Sequence, residues 1–283
     1  MGAIINKGPT KADIAMRFSR AALDYDAHAE IQHKIVSELI NWAGADAQNL
    51  GTVVDIGSGT GALARRLALP QRIQQTQQKA HTSLWCNLDI SMGMLRGARK
   101  SAVYGEQVYI RADAEQLPLA DGSIDTVVSS MALQWCQSPH IALNEIYRVL
   151  SDKGRAYIAL MISPSFSQLH RAWSDVGLPS RVNTFSDATT WLNAAGRHSW
   201  HIAYQQKTFY SAHDGLVSML KSIKGVGANT QLASKPVNAL LSKGEIKAVE
   251  SAMRRGLQSA NPAQAYNLDY EVLFLSLDKT MRL

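Results

Sequence analysis

Hydrophobic and polar positions follow two different patterns between Thr52 and about Ile162. Short, continuous apolar runs predict buried β-strands at 51–56, 83–88, 107–112, 124–130 and 155–162. Longer amphipathic stretches predict helices between them, at 61–69, 91–100 and 139–150. Because strands joined by helices in short units form right-handed crossovers, this part of the chain predicts an open α/β sandwich of three layers.

The two flanks add helices and two more strands. Apolar residues recur at helical spacing over 11–42, which predicts helices beside the sheet or over its edge. Downstream, 164–195 is typical of helix and loop, and 200–210 and 268–277 alternate like strands. Further helices are predicted at 213–224 and 243–256, and the glutamine-rich stretch 71–79 is predicted to be a solvated helix end or loop.

These patterns divide the chain into three predicted parts. We expect an N-terminal helical segment over the site (1–45), a ligand-binding core (46–163), and a C-terminal part (164–283) of cap helices and two strands. The last two strands would complete a mostly parallel, seven-stranded sheet.

An apolar strand that runs straight into the glycine-rich turn Gly57-Ser58-Gly59-Thr60-Gly61 carries the most informative chemistry. Glycines there allow positive φ angles and a close approach of the backbone to a ligand. The spacing is G-x-G-x-G rather than the dinucleotide-binding G-x-G-x-x-G, and Asp55 precedes the first glycine by two residues. Since a carboxylate repels a pyrophosphate and attracts an ammonium group, the motif favours S-adenosylmethionine over a dinucleotide.

Two further acids follow the next two predicted strands. Asp89 stands where a carboxylate can accept both ribose hydroxyls of a nucleoside, although it could instead cap the helix at 91–100. Asp113 could accept from the adenine amine, and the backbone N–H of Ala114 could reach a ring nitrogen. Three acids at successive strand ends indicate S-adenosylmethionine more specifically than the glycine turn does alone.

Composition and charge limit the possible location of the protein and the kinds of ligand that it can bind. No apolar run approaches membrane-spanning length and the N-terminus lacks a secretory signal, so we expect a cytoplasmic protein without a membrane segment. The two cysteines, Cys86 and Cys136, are expected to be small buried hydrophobes, and the histidines lack metal-ligand spacing, so no metal is expected. The net charge is +6, of which residues 1–164 contribute +1 and 165–283 contribute +5.

The chain resembles the class I methyltransferases through DIGSGTG, LDIS, RADAEQLPLADGSIDTVVSS and NEIYRVLSDKG, over roughly 50–162. Over nearly its whole length it is similar to the malonyl-acyl-carrier-protein O-methyltransferase family of biotin synthesis. That similarity rests on IAMRFSRAALDYDAHAEIQ, SMALQWCQSPHIALNEIYRVLSDKG, MLKSIKGVGA and YNLDYEVLFLSL. The sequence departs from the family at Ser58, where many members carry Cys, and in its long, glutamine-rich connection to the second strand.

The resemblance implies a Rossmann-like core, S-adenosylmethionine as methyl donor, S-adenosylhomocysteine as product, and transfer to the free carboxylate of a malonyl thioester on acyl carrier protein or CoA. Such a carboxylate is already ionised at pH 7, so no general base is expected. The predicted cofactor-binding set is Asp55, Gly57, Ser58, Gly59, Gly61, Asp89, Ile90, Met94, Asp113, Ala114 and Ser130.

A substrate pocket for a carboxylate should contain a cation and aromatic hydroxyls. The candidates are Tyr25, Gln134, Trp135, Arg148, Arg181 and Lys221. Arg148 has an alternative role, because Glu145 lies three residues before it and could pair with it, and Trp135 could equally be a core residue. A docking face for the acidic carrier protein is predicted at Lys224, Lys243, Lys247, Arg254 and Arg255, with a merely solvated helix face as the alternative.

Three other functions remain open on the sequence alone. One is a small-molecule methyltransferase of the ubiquinone C-methyltransferase type, which would need a base for a carbon nucleophile. A second is a cofactor-binding partner subunit without catalysis. The third, a nucleic-acid enzyme, is suggested by the basic charge, but the sequence lacks the interleaved aromatic and basic residues that stack bases.

Overall fold

A seven-stranded sheet forms the centre of the computed structural model, which describes residues 9–44, 50–67, 84–102, 106–228, 241–255 and 266–279. The strands are β1 (Val53–Ile56), β2 (Trp85–Asp89), β3 (Gln107–Arg111), β4 (Ile124–Ser130), β5 (Leu150–Met161), β6 (Trp200–Ala212) and β7 (Asn267–Lys279). Their order across the sheet is β3-β2-β1-β4-β5-β7-β6. Strands β1 to β5 pair in parallel, and β7 pairs antiparallel with β5 and β6. The predicted α/β fold and strand number are confirmed.

Helices cover both faces of this sheet, as the crossover connections require. They are α1 (Lys11–Ala21), α2 (Tyr25–His28), α3 (Glu30–Ala43), α4 (62–67, where its described part ends), α5 (Met92–Lys100), α6 (Pro139–Val149), α7 (Ser167–Asp175), α8 (Ala188–Ala195), α9 (Leu216–Gly225) and α10 (Lys243–Arg255). The predicted helical region 11–42 is thus three helices. The glutamine-rich stretch 71–79 lies outside the described residues.

Strand β5 begins earlier than its apolar run predicts. The structure starts it at Leu150, whereas the apolar pattern begins at 155. The polar N-terminal part of the strand contains Lys153, which has a φ of 73°. The pairing with β4 shifts register between Ile124 and Thr126. An irregular pairing of this kind does not need continuous apolar residues, so the pattern missed it.

The core lies in two layers, one on each face of the sheet. One layer includes Trp173 of α7 and Phe274 of β7, and the other includes Trp191 of α8; all three side chains are fully buried. Cys86 is buried and Cys136 is half-buried. Among the described residues, no helix combines the length and the apolar character that crossing a membrane requires.

Candidate active site

The glycine turn after β1 is held against the end of β2. The backbone amides of Gly57 and Ser58 both donate to the carbonyl of Leu88, at 2.7 and 3.0 Å. Gly57 has a φ of 71°, and a Cβ placed on it would lie only 2.1 Å from the Cβ of Ala132. Since no other residue fits there without displacement of the loop after β4, this glycine fixes the turn at the carboxyl edge of the sheet.

A cavity with about 750 Å³ of empty space, part of it open to solvent, lies at that edge, where open α/β sheets bind their ligands. Eight residues of the predicted cofactor set line it, namely Gly57, Gly59, Asp89, Ile90, Met94, Asp113, Ala114 and Ser130. The remaining three, Asp55, Ser58 and Gly61, are not among its lining residues. Strands β1 to β4 therefore bring most of the set together from four separate segments, and we call this space the first cavity.

Asp89 is held in the first cavity by backbone amides. Its carboxylate accepts from the backbone amides of Gly59 (3.0 Å) and Ser91 (2.7 Å), and its side chain is buried. Burial raises the pKa of Asp89 to about 6, although the two amide hydrogen bonds act in the opposite direction. The helix cap that the sequence offered as its alternative role is made instead by Ser91, whose hydroxyl accepts from the amide of Met94.

Asp55 lies immediately before Ile56 and Gly57, which line the first cavity, and is itself 1% exposed. Neither carboxylate oxygen has a hydrogen-bond partner among the described residues. Burial, and to a smaller extent the charge of Asp89, raises the pKa of Asp55 well above its usual range. An unpartnered buried carboxylate is costly, so a cationic group nearby would stabilise its charged form.

Asp113 is found in an ion-pair cluster that the sequence did not predict. The ammonium of Lys11, the first residue of α1, contacts the carboxylates of Asp113 and Glu115, and all three residues line the first cavity. Although burial alone would lower it, the hydrogen bonds to the two acids raise the pKa of Lys11. The contact spans 102 residues of sequence, and no local pattern signals a pair at that separation.

A second cavity, with about 460 Å³ of empty space that is partly open to solvent, adjoins the first. Phe18, Tyr25, Met131 and Trp135 line both, and we call these four residues the shared wall. Phe18 and Trp135 pack edge to face with ring centroids 5.5 Å apart. The cap and the N-terminal helices supply most of the remaining surface, including Gln32, Phe166, Asn183, Phe185 and Val226.

Among the predicted substrate residues, Tyr25, Gln134 and Trp135 do line the second cavity. Gln134 donates from Nε2 to the carbonyl of Met131 at 2.9 Å, while its Oε1 is buried without a partner among the described residues. Burial is the main cause that raises the pKa of Tyr25, and the charges of Asp89 and Asp26 act in the same direction. The phenol is therefore a hydrogen-bond donor at any physiological pH.

The predicted cations are placed differently. None of the described residues that line the second cavity is a lysine or an arginine. Arg148 donates to both carboxylate oxygens of Glu145 at 2.7 and 2.8 Å and to Asp121 at 2.7 Å, so its guanidinium ties α6 to the connection before β4. The alternative reading of Arg148, a pair with Glu145, is the one observed. Arg181 interacts electrostatically with Glu245 of α10, and Lys221 is exposed on α9.

The N-terminal helices are fastened to the rest of the site at several points. Asp26 of α2 accepts from the hydroxyl of Thr60 (2.6 Å) in the glycine turn and from Arg65 (3.1 Å) of α4. On the cap side, a Cβ on Gly225 would lie 2.5 Å from the His28 ring, and one on Gly227 would lie 3.0 Å from Phe18. The absence of these two side chains lets the end of α9 contact α1 and α2.

The residues of the predicted docking face lie on two cap helices. Lys224 is on α9, and Lys243, Lys247, Arg254 and Arg255 are on α10; all five are exposed. Arg254 also donates from Nε to the hydroxyl of Tyr266 at 2.8 Å, so part of its side chain is committed to packing. Within the described part of the chain, no cluster of three potential metal ligands is found.

The residues of the first cavity fit S-adenosylmethionine. A Cβ on Gly59, which has a φ of 54°, would meet no atom within 4 Å, so the backbone of the turn faces open space that a ligand can occupy. Asp89 is placed to accept hydroxyl donors, and the unpartnered Asp55 carboxylate calls for a cation nearby. A ligand with a ribose at one point and an ammonium at another satisfies both acids.

Comparison with known proteins agrees with this fit. Residues 54–158 match the family model described as a methyltransferase domain. The structure resembles the YcgJ protein of Bacillus subtilis, with a TM-score of 0.58 at 17% identity over 88% of this chain and 100% of that one. It also resembles a SAM-dependent methyltransferase of Thermotoga maritima, with a TM-score of 0.50 at 16% identity over 94% and 99% of the two chains. The fold and the site together define a class I methyltransferase.

Sequence relatives identify the family more closely. A malonyl-[acyl-carrier protein] O-methyltransferase of Erwinia pyrifoliae is 31% identical over 87% of each chain, and one of Erwinia billingiae is 30% identical over 93% of this chain and 96% of that one. The biotin biosynthesis bifunctional protein BioHC of Teredinibacter turnerae is 29% identical over 96% of this chain but only 47% of its own length. The chain belongs to the malonyl-[acyl-carrier protein] O-methyltransferase family, as the sequence motifs predicted.

Proposed function

We propose that this chain transfers a methyl group from S-adenosylmethionine to the free carboxylate of a malonyl thioester on acyl carrier protein, an early step of biotin synthesis. The observation that carries the proposal is the pair of adjoining cavities with a shared wall: the first suits the cofactor, and the second opens beside it. The names of the relatives support the substrate and the pathway. We also propose a cytoplasmic location, on the sequence grounds given above.

The acids of the first cavity would hold the cofactor. Asp89 would accept from the ribose hydroxyls, and Asp113 would accept from the adenine amine. Asp55 does not line the cavity, and it would favour the ammonium of the amino-acid end through its charge, from behind Ile56 and Gly57 of the cavity wall. When bound, S-adenosylmethionine supplies an electrophilic methyl group on a cationic sulfur. Every other requirement of the reaction concerns how the chain orients the acceptor.

The second cavity would orient the acceptor carboxylate with neutral donors. A carboxyl group with an ordinary pKa of about 4 is already ionised at pH 7, so a general base is unnecessary. Tyr25 can donate from its protonated hydroxyl, and Gln134 can donate the Nε2 proton that the carbonyl of Met131 does not accept, to fix the rotation of the carboxylate. Positioning of this kind can supply on the order of 7–11 kcal/mol of the barrier reduction. Trp135 and the other aromatic residues of the wall would exclude water.

The exposed cations of α9 and α10 would guide the carrier protein. Lys221, Lys224, Lys243 and Lys247 face solvent on the cap, whose apolar side forms part of the second cavity through Ile223 and Val226. An acidic partner attracted to this surface would deliver its thioester close to the cavity. Complementary charge of this kind accelerates encounter and weakens with salt.

One assay tests the whole proposal. The protein is incubated with methyl-labelled S-adenosylmethionine and malonyl-acyl carrier protein, with malonyl-CoA and a ubiquinone precursor in parallel. We expect a base-labile methyl ester on the malonyl group and faster labelling with the carrier protein than with CoA. Labelling of the quinone precursor alone, or of the enzyme's own side chains alone, would refute the proposal. Binding of S-adenosylhomocysteine without label transfer to any acceptor would instead favour a non-catalytic subunit.

A further inference from the structure

The N-terminal end of α1 is joined to the first cavity by a cluster of three charged side chains. Lys11 contacts Asp113, and its Nζ lies 2.5 Å from an oxygen of Glu115. The helix begins immediately before, where Thr10 and Asp13 cap each other's backbone amides. Lys11 is thus held at a fixed point of a capped helix, and its ammonium lies between two carboxylates.

Both carboxylates are themselves fixed by the backbone. Glu115 accepts from the amides of Ser138 (2.8 Å) and Gln137 (3.2 Å), and its side chain is only 5% exposed. Asp113 accepts from the amide of Glu115 at 3.0 Å. An exposed ion pair contributes little because ordering two long side chains costs entropy, but here two of the three partners are already ordered.

The charged groups of this cluster set the net charge on one wall of the first cavity. Two carboxylates and one ammonium leave one net negative charge on the wall where Asp113 would meet the adenine amine. Without Lys11, the two acids would repel each other across a partly buried surface, and Asp113 would lose a contact that restricts its rotation. Further along α1, Ile14 and Phe18 line the same cavity, so Lys11 also anchors the helix that forms this wall.

We propose that Lys11 is a positioning residue for nucleobase recognition: it holds Asp113 in the orientation that accepts the exocyclic amine of adenine and fastens α1 over that end of the cavity. The inference rests on the proposed use of S-adenosylmethionine. It differs from a general role in stability, because a positioned Asp113 distinguishes a base that donates at this point from one that accepts.

The test compares two ligands by isothermal titration calorimetry: S-adenosylhomocysteine, and S-inosylhomocysteine, in which an oxygen replaces the amine. We expect the wild-type protein to bind the adenine ligand at least about tenfold more tightly, since the inosine ligand leaves Asp113 facing an acceptor. In Lys11→Met, we expect this preference to fall at least about threefold, mainly through weaker binding of the adenine ligand. Lys11→Arg should restore part of the preference.

Two further variants separate positioning from stability. Lys34→Met removes an exposed lysine that pairs with Glu30 at 2.7 Å on α3, and it should leave both affinities unchanged. Lys11→Met with Glu115→Gln keeps the net charge of the cluster, so it should fold like the wild type and still lose preference. Equal weakening of both ligands, or an unchanged ratio, would overturn the proposal for Lys11. Failure of the wild-type protein to bind either ligand would refute the proposed function instead.

Discussion

The two adjoining cavities are built in different ways. The first is formed largely by strand ends and the turns that follow them, so its acids are held by backbone amides, as Asp89 is by Gly59 and Ser91. The second is formed by side chains from α1, α3, α9 and the loops around Asn183. The four residues of the shared wall belong to both cavities. The scaffold thus determines cofactor recognition, whereas acceptor recognition depends on how separate segments pack together.

Removing the charge of Asp89 is the strongest test of the idea that the strand ends of the first cavity determine cofactor recognition. We expect Asp89→Asn to weaken binding of S-adenosylhomocysteine about 100-fold, because an amide cannot accept two hydroxyl donors as a carboxylate does. Calorimetry measures this directly. Asp152→Asn, at an exposed position of β5, should leave the affinity unchanged. A change of less than about threefold in Asp89→Asn would mean that Asp89 does not contact the ligand.

The pH dependence of cofactor binding follows from the same residue. The pKa of Asp89 is about 6 in the ligand-free fold, so its carboxylate becomes protonated as the pH falls below that value. We expect the Kd for S-adenosylhomocysteine to rise up to about tenfold per pH unit below 6, and to be nearly constant above it. Asp89→Asn should lack this dependence. A flat profile between pH 5 and about 7 in the wild type would contradict the prediction.

The same pKa fixes the sign of a stability effect. Since the pKa of Asp89 is higher in the folded than in the unfolded chain, the ligand-free fold binds more protons between about 4 and 6. Its ionisation therefore opposes folding above pH 6, and this opposition is lost as the pH falls through that range. Chemical denaturation of wild type and Asp89→Asn at pH 5 and 7 should show the variant gaining relative stability at the higher pH.

Tyr25 tests the region where the two cavities meet. We expect Tyr25→Phe to lower kcat/KM for the malonyl thioester about tenfold, because it removes one donor to the carboxylate, while the cofactor Kd changes less than about twofold. Tyr204→Phe, at an exposed position of β6, provides the matched control. Equal losses in cofactor affinity and in kcat/KM would show that the hydroxyl belongs to the first cavity rather than the second.

Substitutions on the docking surface should have the smallest effect on the kinetics. Lys221→Glu with Lys224→Glu is expected to raise KM for malonyl-acyl carrier protein about fivefold at low salt, since it reverses two charges that attract an acidic partner. The difference should shrink at high ionic strength, and KM for malonyl-CoA should stay the same. An unchanged KM for the carrier-bound substrate at every ionic strength would refute docking at these two lysines.

Sequence patterns predicted the first region better than the second for a physical reason. Gly57, Asp89 and Asp113 follow buried strands, and the ends of parallel strands necessarily meet at one edge of the sheet, so local order along the chain implies proximity in space. Lys11 and Glu115 meet across more than 100 residues, and no local pattern encodes that contact. Arg148, one of the cations expected for the substrate, is engaged instead by Glu145, which lies one helical turn before it.

The close packing of Gly225 against His28 and of Gly227 against Phe18 has a consequence for protein engineering. The cap and the N-terminal helices contact each other where side chains are missing on one side and rings are present on the other. A chimera that takes only one of these segments from a relative with bulkier residues would force the two apart and open the acceptor pocket to water. Exchange of acceptor specificity between family members therefore requires both segments to be transplanted as a matched set.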